Sequence, residues 1–303
     1  MIPEQRAAWR PGRPVDVHAT LGTLRRGAGD PAYAVDAAGA IWRAVRTPEG
    51  PATLRVVACG DEIRFTAWGA GAEWLVGQGP AMLGEGDDPS GFAPRHPLLR
   101  ELVRRFDAWR MPRSGIVLDA LVPAVLEQKV TGTEARRSWR ALLRAYGEPA
   151  PGPAPEGMRV PPPAELWRRV PSWDWHRAGV DGKRARTVLE ACARAGRLEQ
   201  TLGLPHPEAE RRLRAVPGIG IWTAAEVRQR AHGDADAVSV GDIHLCKDVG
   251  WALAGRPVDD DGMLELLAPY AGHRYRVVRL LQLSGFRRPR FAPRYAPTDH
   301  RAI

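Results

Sequence analysis

Val216-Pro217-Gly218-Ile219-Gly220-Ile221-Trp222-Thr223-Ala224, followed by Val240-Gly241-Asp242-Ile243-His244, decides how this chain is read. Pro217 fixes one φ angle, while Gly218 and Gly220 permit positive φ and let a ligand come close to the backbone. Apolar-periodic runs lie on both sides, so the glycines read as a hairpin between two helices, the second opening at Ile221. N–H groups at such a helix start, backed by the positive end of the helix dipole, can hold a phosphate. An ordinary turn between helices also uses Pro-Gly; Val216 as an apolar anchor and Thr223-Ala224 just beyond make this pattern more specific. One carboxylate, Asp242, follows Trp222 by twenty residues. Two readings of Asp242 fit: the N-cap of the next helix, or a catalytic acid held beside a bound phosphodiester. They are compatible, because a capping carboxylate stays ionised next to the dipole.

The rest of the composition agrees with a polyanionic partner without requiring one. Lys+Arg 44 against Asp+Glu 35 gives a net charge of +9 over 303 residues, with a pI near 10.1. Phosphates neutralised by such a surface release counterions, although Arg-rich composition also follows from GC-rich coding. Cys59, Cys192 and Cys246 stand far apart and form no Cys-x-x-Cys pair. That excludes a four-cysteine zinc or iron–sulfur site built from this chain alone, and the sparse count suits a reducing cytoplasm. The N-terminus has no signal-peptide run, and no eighteen-residue apolar stretch occurs. The expectation is a cytoplasmic, nucleoid-associated monomer with no membrane partner.

Along the chain, residues 1–92 read as an antiparallel β-rich N-terminal domain. Val15–Leu21 and Ile41–Arg46 alternate apolar and polar residues, and Leu54–Cys59 with Ile63–Trp68 reads as a hairpin around a Gly60-Asp61 turn. Gly84–Gly91 is a polar boundary. Residues 93–285 change to helical period, in helices beginning with the Leu98, Leu99, Leu102, Val103, Phe106 stripe. Pro149–Pro163 reads as an exposed connection, and 286–303 as a basic C-terminal tail that either lies along a polyanion or packs back. The fold class expected is α+β.

The motif resembles the helix-hairpin-helix element of the helix-hairpin-helix/Gly-Pro-Asp DNA glycosylases, and Asp242-Ile243-His244 is similar to the segment that supplies their catalytic aspartate. Ile221-Trp222-Thr223-Ala224 resembles the branch that removes alkylated purines, the bacterial 3-methyladenine DNA glycosylase II type. The resemblance covers nearly the whole chain. It implies two helical subdomains with a cleft lined by Asp242, and double-stranded DNA carrying damaged bases as the partner. It implies that Gly218, Gly220 and Thr223 grip the phosphate, that Trp222 walls the base pocket, and that Asp242 stabilises the cationic sugar or activates water. Members that also cut the backbone carry a Schiff-base lysine where this chain has Trp222, so lyase chemistry of that kind is not expected.

Glu127-Gln128-Lys129-Val130-Thr131-Gly132 falls where the family places the residue that wedges into the duplex. Gln128 and Lys129 are the candidates, against the plain reading of a polar helix end. Gly182-Lys183-Arg184-Ala185-Arg186 resembles the family's helix start leading to the hairpin, with Lys183 as a phosphate contact or simply surface charge. A structural Na+ or K+ held by backbone carbonyls of Arg214, Val216 and Ile219 is also implied, with no cofactor required. The chain departs from the pattern at Gly241, where proline is common, and at Leu280–Leu283, which lacks a late pocket tryptophan. The expected activity is excision of 3-methyladenine or 7-methylguanine. The alternatives are a non-catalytic binder of distorted DNA and a monofunctional glycosylase for oxidised or deaminated bases.

Overall fold

The computed structural model describes residues 2–289, so the tail from Arg290 to Ile303 lies outside the described residues. The N-terminal part is a five-stranded antiparallel sheet in the order β1-β5-β4-β3-β2. Its strands are β1 (Glu4–Trp9), β2 (Tyr33–Val35), β3 (Ile41–Thr47), β4 (Gly50–Cys59) and β5 (Glu62–Gly69). The β4–β5 hairpin pairs Cys59 with Glu62 around Gly60-Asp61, and Gly60 adopts φ +64° as a tight hairpin turn requires. One face of β5 turns Ile63, Phe65 and Ala67 into a core shared with Leu75 and Met82 of α2 (Ala72–Met82). Gly79 lets α2 come down onto the Phe65 ring, since a Cβ there would lie 2.9 Å from it.

Two expectations about this part are corrected. Val15–Leu21 is not a strand: Asp16 accepts from Ala19 N–H at 2.8 Å and caps a short helix, α1 (Val17–Leu21). A local capping bond outweighs the alternating pattern there, because Asp competes for backbone N–H groups. Pro149–Pro163 is not an exposed loop either. It forms a small ribbon, β6 (Glu148–Pro149) with β7 (Arg159–Val160), so the region from 93 onward is not wholly helical. Met158 and Val160 bury against Trp42 and Trp68 on the outer face of the sheet. That face carries two stacked tryptophans, and Ala150 and Ala154 of the same segment pack on it too.

The helices divide between two apolar cores. The first centres on α4 (Val117–Leu126), whose one charged residue, Asp119, pairs with Arg43 and whose other side chains are apolar and mostly buried. Around it lie α5 (Gly132–Tyr146), α6 (Ala164–Trp167), α7 (Ser172–Arg177), α8 (Gly182–Ala193), α9 (Ala195–Glu199), α10 (His206–Arg214) and α11 (Ile221–Val227). The second joins α3 (Pro97–Arg105) to α12 (Leu245–Ala254), α13 (Asp260–Leu267) and α14 (Arg274–Leu283). α3 therefore packs far from its chain neighbours, with the last helices. The polar boundary holds a clasp for this arrangement: Asp87 is buried, accepts from Met111 N–H at 3.0 Å and pairs with both Arg13 and Arg276. Burial alone would raise this carboxyl, but Arg276 beside it holds it below the usual carboxylate range.

Candidate active site

The hairpin between α10 and α11 uses its two glycines differently. Gly218 has φ +88°, and a Cβ there would stand 2.0 Å from Thr187 Oγ1 on α8. Conformation and space both require glycine. Ile219 N–H donates to Val216 O at 3.0 Å and closes the turn. Gly220 is extended at φ −89° and ψ −176°, with nothing within 4 Å of an added Cβ. The folded chain itself makes no demand for glycine there. No side chain caps the first N–H groups of α11, so this bare backbone faces outward.

The segment after α4 lies against the hairpin. Gln128 Nε2 donates to Gly218 O at 3.0 Å and to Thr223 Oγ1 at 2.8 Å, which ties both of its amide hydrogens to the turn. Lys129 follows, exposed, at φ +55°, the one non-glycine residue in the left-handed region among those described. Such a conformation costs roughly 1–3 kcal/mol and persists only where its surroundings hold it. They do so on both sides: Thr131 and Glu134 form a capping box at the start of α5, and Arg184 Nη1 donates to Leu126 O at 2.8 Å. Arg184 is thus a buried clamp, bonded to Asp181, Gly179 and Leu126. Lys183 is exposed at the start of α8, the helix whose Thr187 packs under Gly218.

Asp242 is brought to the same place by the turn before α12. Its Oδ1 accepts from His244 N–H at 2.8 Å and Leu245 N–H at 3.0 Å, and its Oδ2 accepts from Trp222 Nε1 at 3.3 Å. The geometry shows Asp242 capping the turn into α12 and meeting the hairpin tryptophan. Gly241 precedes it at φ +89°, an angle closed to proline, so this turn takes a different backbone path from one that carries proline there. Ile243 beside it is 64% exposed, and Ile221 at the hairpin 41%. The described start of the tail packs back, with Arg288 donating to His244 O at 3.1 Å and pairing with Asp248.

Below this mouth lies a polar floor that the sequence reading missed. Glu226 sits one helical turn after Trp222, on the same face. It accepts from Arg230 Nη1 at 2.7 Å and from Ser239 Oγ at 2.5 Å. Ser239 in turn takes Gln229 Nε2 at 2.9 Å, and its carbonyl accepts from Asp242 N–H at 3.3 Å. Arg230 belongs to a π-turn, Arg228–His232, whose Arg230 and Ala231 carbonyls accept from Ser114 and Gly115 N–H at 2.8 and 3.1 Å. The i, i+4 spacing of Trp222, Glu226 and Arg230 was the available signal.

No family model matches the chain. The structure superimposes on the 3-methyladenine DNA glycosylase of Archaeoglobus fulgidus with a TM-score of 0.75, at 18% identity, covering 92% of this chain and 99% of that one. The chain has the helix-hairpin-helix DNA glycosylase fold. Another example of this glycosylase fold is the Clostridium acetobutylicum 8-oxoguanine glycosylase/lyase, matched with a TM-score of 0.69 at 14% identity over 93% of this chain and 98% of that one. In sequence, a Mycobacterium tuberculosis protein named as a probable bifunctional transcriptional activator/DNA repair enzyme AlkA is 30% identical over 151 residues. That stretch is 49% of this chain and spans 30% of the relative's length.

Proposed function

We propose that this chain is a monofunctional DNA N-glycosylase that excises damaged purines, of the alkylated 3-methyladenine or 7-methylguanine type, by hydrolysis. The observation that carries the reading is the Asp242 carboxylate, fixed by two backbone N–H groups and the Trp222 indole beside a hairpin with an uncapped helix start. The hairpin N–H groups around Gly218 and Gly220 hold a phosphate next to the lesion, Thr223 is buried behind them and holds Gln128 rather than the phosphate, and exposed Lys183 adds charge. Lys129, strained outward, fills the space left by a flipped base, while Gln128 serves as its strut to the hairpin. Breaking the glycosidic bond builds positive charge on the sugar. Asp242 stabilises that charge and orients the attacking water.

Trp222 supports the hydrolytic reading, because an indole offers no amine for a Schiff base with the sugar. Double-stranded DNA is the partner in this reading; relatives of the same fold include a Clostridium 8-oxoguanine glycosylase/lyase complexed with DNA. An alkali ion fits the donor chemistry of the hairpin, since the Arg214, Val216 and Ile219 carbonyls are neutral hard oxygens. Val216 O already accepts one N–H and keeps a second lone pair for the ion. Such an ion would stiffen the turn and add positive charge under the phosphate. The test is base release from methylated duplex DNA, scored for strand breaks with and without alkali. Free base with breaks only after alkali is expected; breaks without alkali would overturn the monofunctional reading.

A further inference from the structure

Asp242 is carried by a segment, residues 237–242, that belongs to no helix or strand, so its place beside Trp222 must be fixed by side chains. Among the described residues, every hydrogen bond between this segment and α11 with its π-turn comes from Trp222, Glu226 and Gln229. These stand at i, i+4 and i+7, which puts them in one stripe along the helix. Trp222 reaches Asp242 itself. Gln229 Nε2 donates to Ala237 O at 2.8 Å and to Ser239 Oγ at 2.9 Å. Ser239 Oγ donates in turn to Glu226 Oε1 at 2.5 Å, while the other Glu226 oxygen is held by Arg230 Nη1 at 2.7 Å.

The Ser239 hydroxyl is thus used in both directions, accepting from an amide and giving its single hydrogen to a carboxylate. Gln229 is 1% exposed and Ser239 4%. Apolar side chains of the same shape can be no less stabilising in such a place, so what the paired hydroxyl adds is a fixed direction. That direction passes to Asp242 through a single turn. Ser239 O accepts from Asp242 N–H at 3.3 Å and closes the four residues Ser239–Asp242 on themselves. Gly241 takes φ +89° at the third place, where a type II turn needs glycine. Its N–H donates to Asp260 Oδ2 at 3.1 Å, which holds the far side of the turn. A turn closed in this way moves as one piece, so a shift at Ser239 becomes a shift of the carboxylate.

We propose that Ser239, gripped by Glu226 and Gln229, is a positioning residue that sets the Asp242 carboxylate against Trp222 and against the sugar of a flipped nucleotide. Ser239 does not touch the nucleotide; it acts through Asp242. The proposal rests on the glycosylase reading above and adds to it the group that holds the reacting carboxylate in place. A misplacement of about 1 Å can slow a positioned reaction by about a hundredfold, and loss of one hydroxyl displaces the turn by less.

The test is single-turnover base release from methylated duplex DNA by Ser239→Ala, with affinity for duplex DNA containing an abasic site measured beside it. Release is expected to fall by about tenfold while affinity stays within about twofold of the wild type. Ser239→Thr keeps a hydroxyl and should bring release back to within about threefold of the wild type. Gln229→Met keeps the side-chain length but removes both donors, and it reports on the same grip if Ser239→Ala does not fold. Its release should fall by about threefold or more, again with affinity retained. Wild-type release by folded Ser239→Ala or Gln229→Met overturns the positioning role. So does a loss of release matched by an equal loss of affinity, or an equal loss in the alanine and threonine variants. No release by the wild-type protein overturns the glycosylase reading instead.

Discussion

The mouth and the floor of the cleft are built by opposite means. At the mouth, functional groups are backbone atoms or side chains tied to backbone: the Gly218–Gly220 turn, the Gln128 strut, the Asp242 cap. On the floor they are side chains tied to one another: Glu226 to Arg230 and Ser239, and Gln229 to Ser239. A mouth of that kind holds one shape before any ligand arrives, as phosphate binding and transition-state stabilisation need. The floor is held by charged and polar side chains bonded to one another, and one of its donors, Arg230 Nε, is buried without an acceptor. Substitutions at the mouth should therefore act on grip or chemistry, and substitutions on the floor, those that loosen Ser239 apart, on folding.

The largest effect on stability is expected on the floor. Glu226→Ala leaves Arg230 buried without its partner and removes the acceptor for Ser239, so unfolding free energy should fall by about 3–5 kcal/mol in urea denaturation. A loss under about 1 kcal/mol would mean the pair is solvent-screened and the floor far wetter than described. Next comes His232, at the back of the same π-turn, whose imidazole is pushed down to about 4 mainly by burial. Its folded value lies below the unfolded one near ~6.5, so the unfolded chain binds the proton first. Stability is then fully present above pH 6.5 or so and declines as pH falls towards about 4, by up to about 3 kcal/mol. Denaturation midpoints at several pH values should show this slope, and His232→Gln should flatten it.

The two hairpin glycines offer a sharper contrast at smaller scale. Gly218→Ala collides with Thr187 at a positive φ and should cost about 2 kcal/mol of stability together with DNA affinity. Gly220→Ala meets nothing in the protein, so stability should change by about 0.5 kcal/mol or less while DNA binding weakens. Equal behaviour of the two variants would refute the division of labour between these glycines. Gln128→Ala should cost about 1 kcal/mol and release Lys129 from its left-handed conformation, measured as lower affinity for DNA with an abasic site.

This division also explains what could be read from residue order alone. Val216–Ala224 and Asp242–His244 are each contiguous stretches with local turn chemistry, so hairpin and cap were legible. The β4–β5 hairpin was legible for the same reason, through Gly60-Asp61. The floor was not, because its π-turn is held by Ser114 and Gly115 from a distant part of the chain, which no local pattern marks. The clamp role of Arg184 was not legible, because Leu126 O and Gly179 O, which take its hydrogens, are fixed only by the fold. α1 and the proline segment failed where one capping bond and one tryptophan face overrode composition.

The measurement closest to the central claim is single-turnover base release by Asp242→Asn, run beside its affinity for duplex DNA with an abasic site. The asparagine keeps an oxygen for the His244 and Leu245 N–H groups but loses the negative charge. Release should fall by about a thousandfold while DNA affinity stays within about twofold of the wild type. Release at the wild-type rate would remove Asp242 from the chemistry and leave the mouth as a binding site alone.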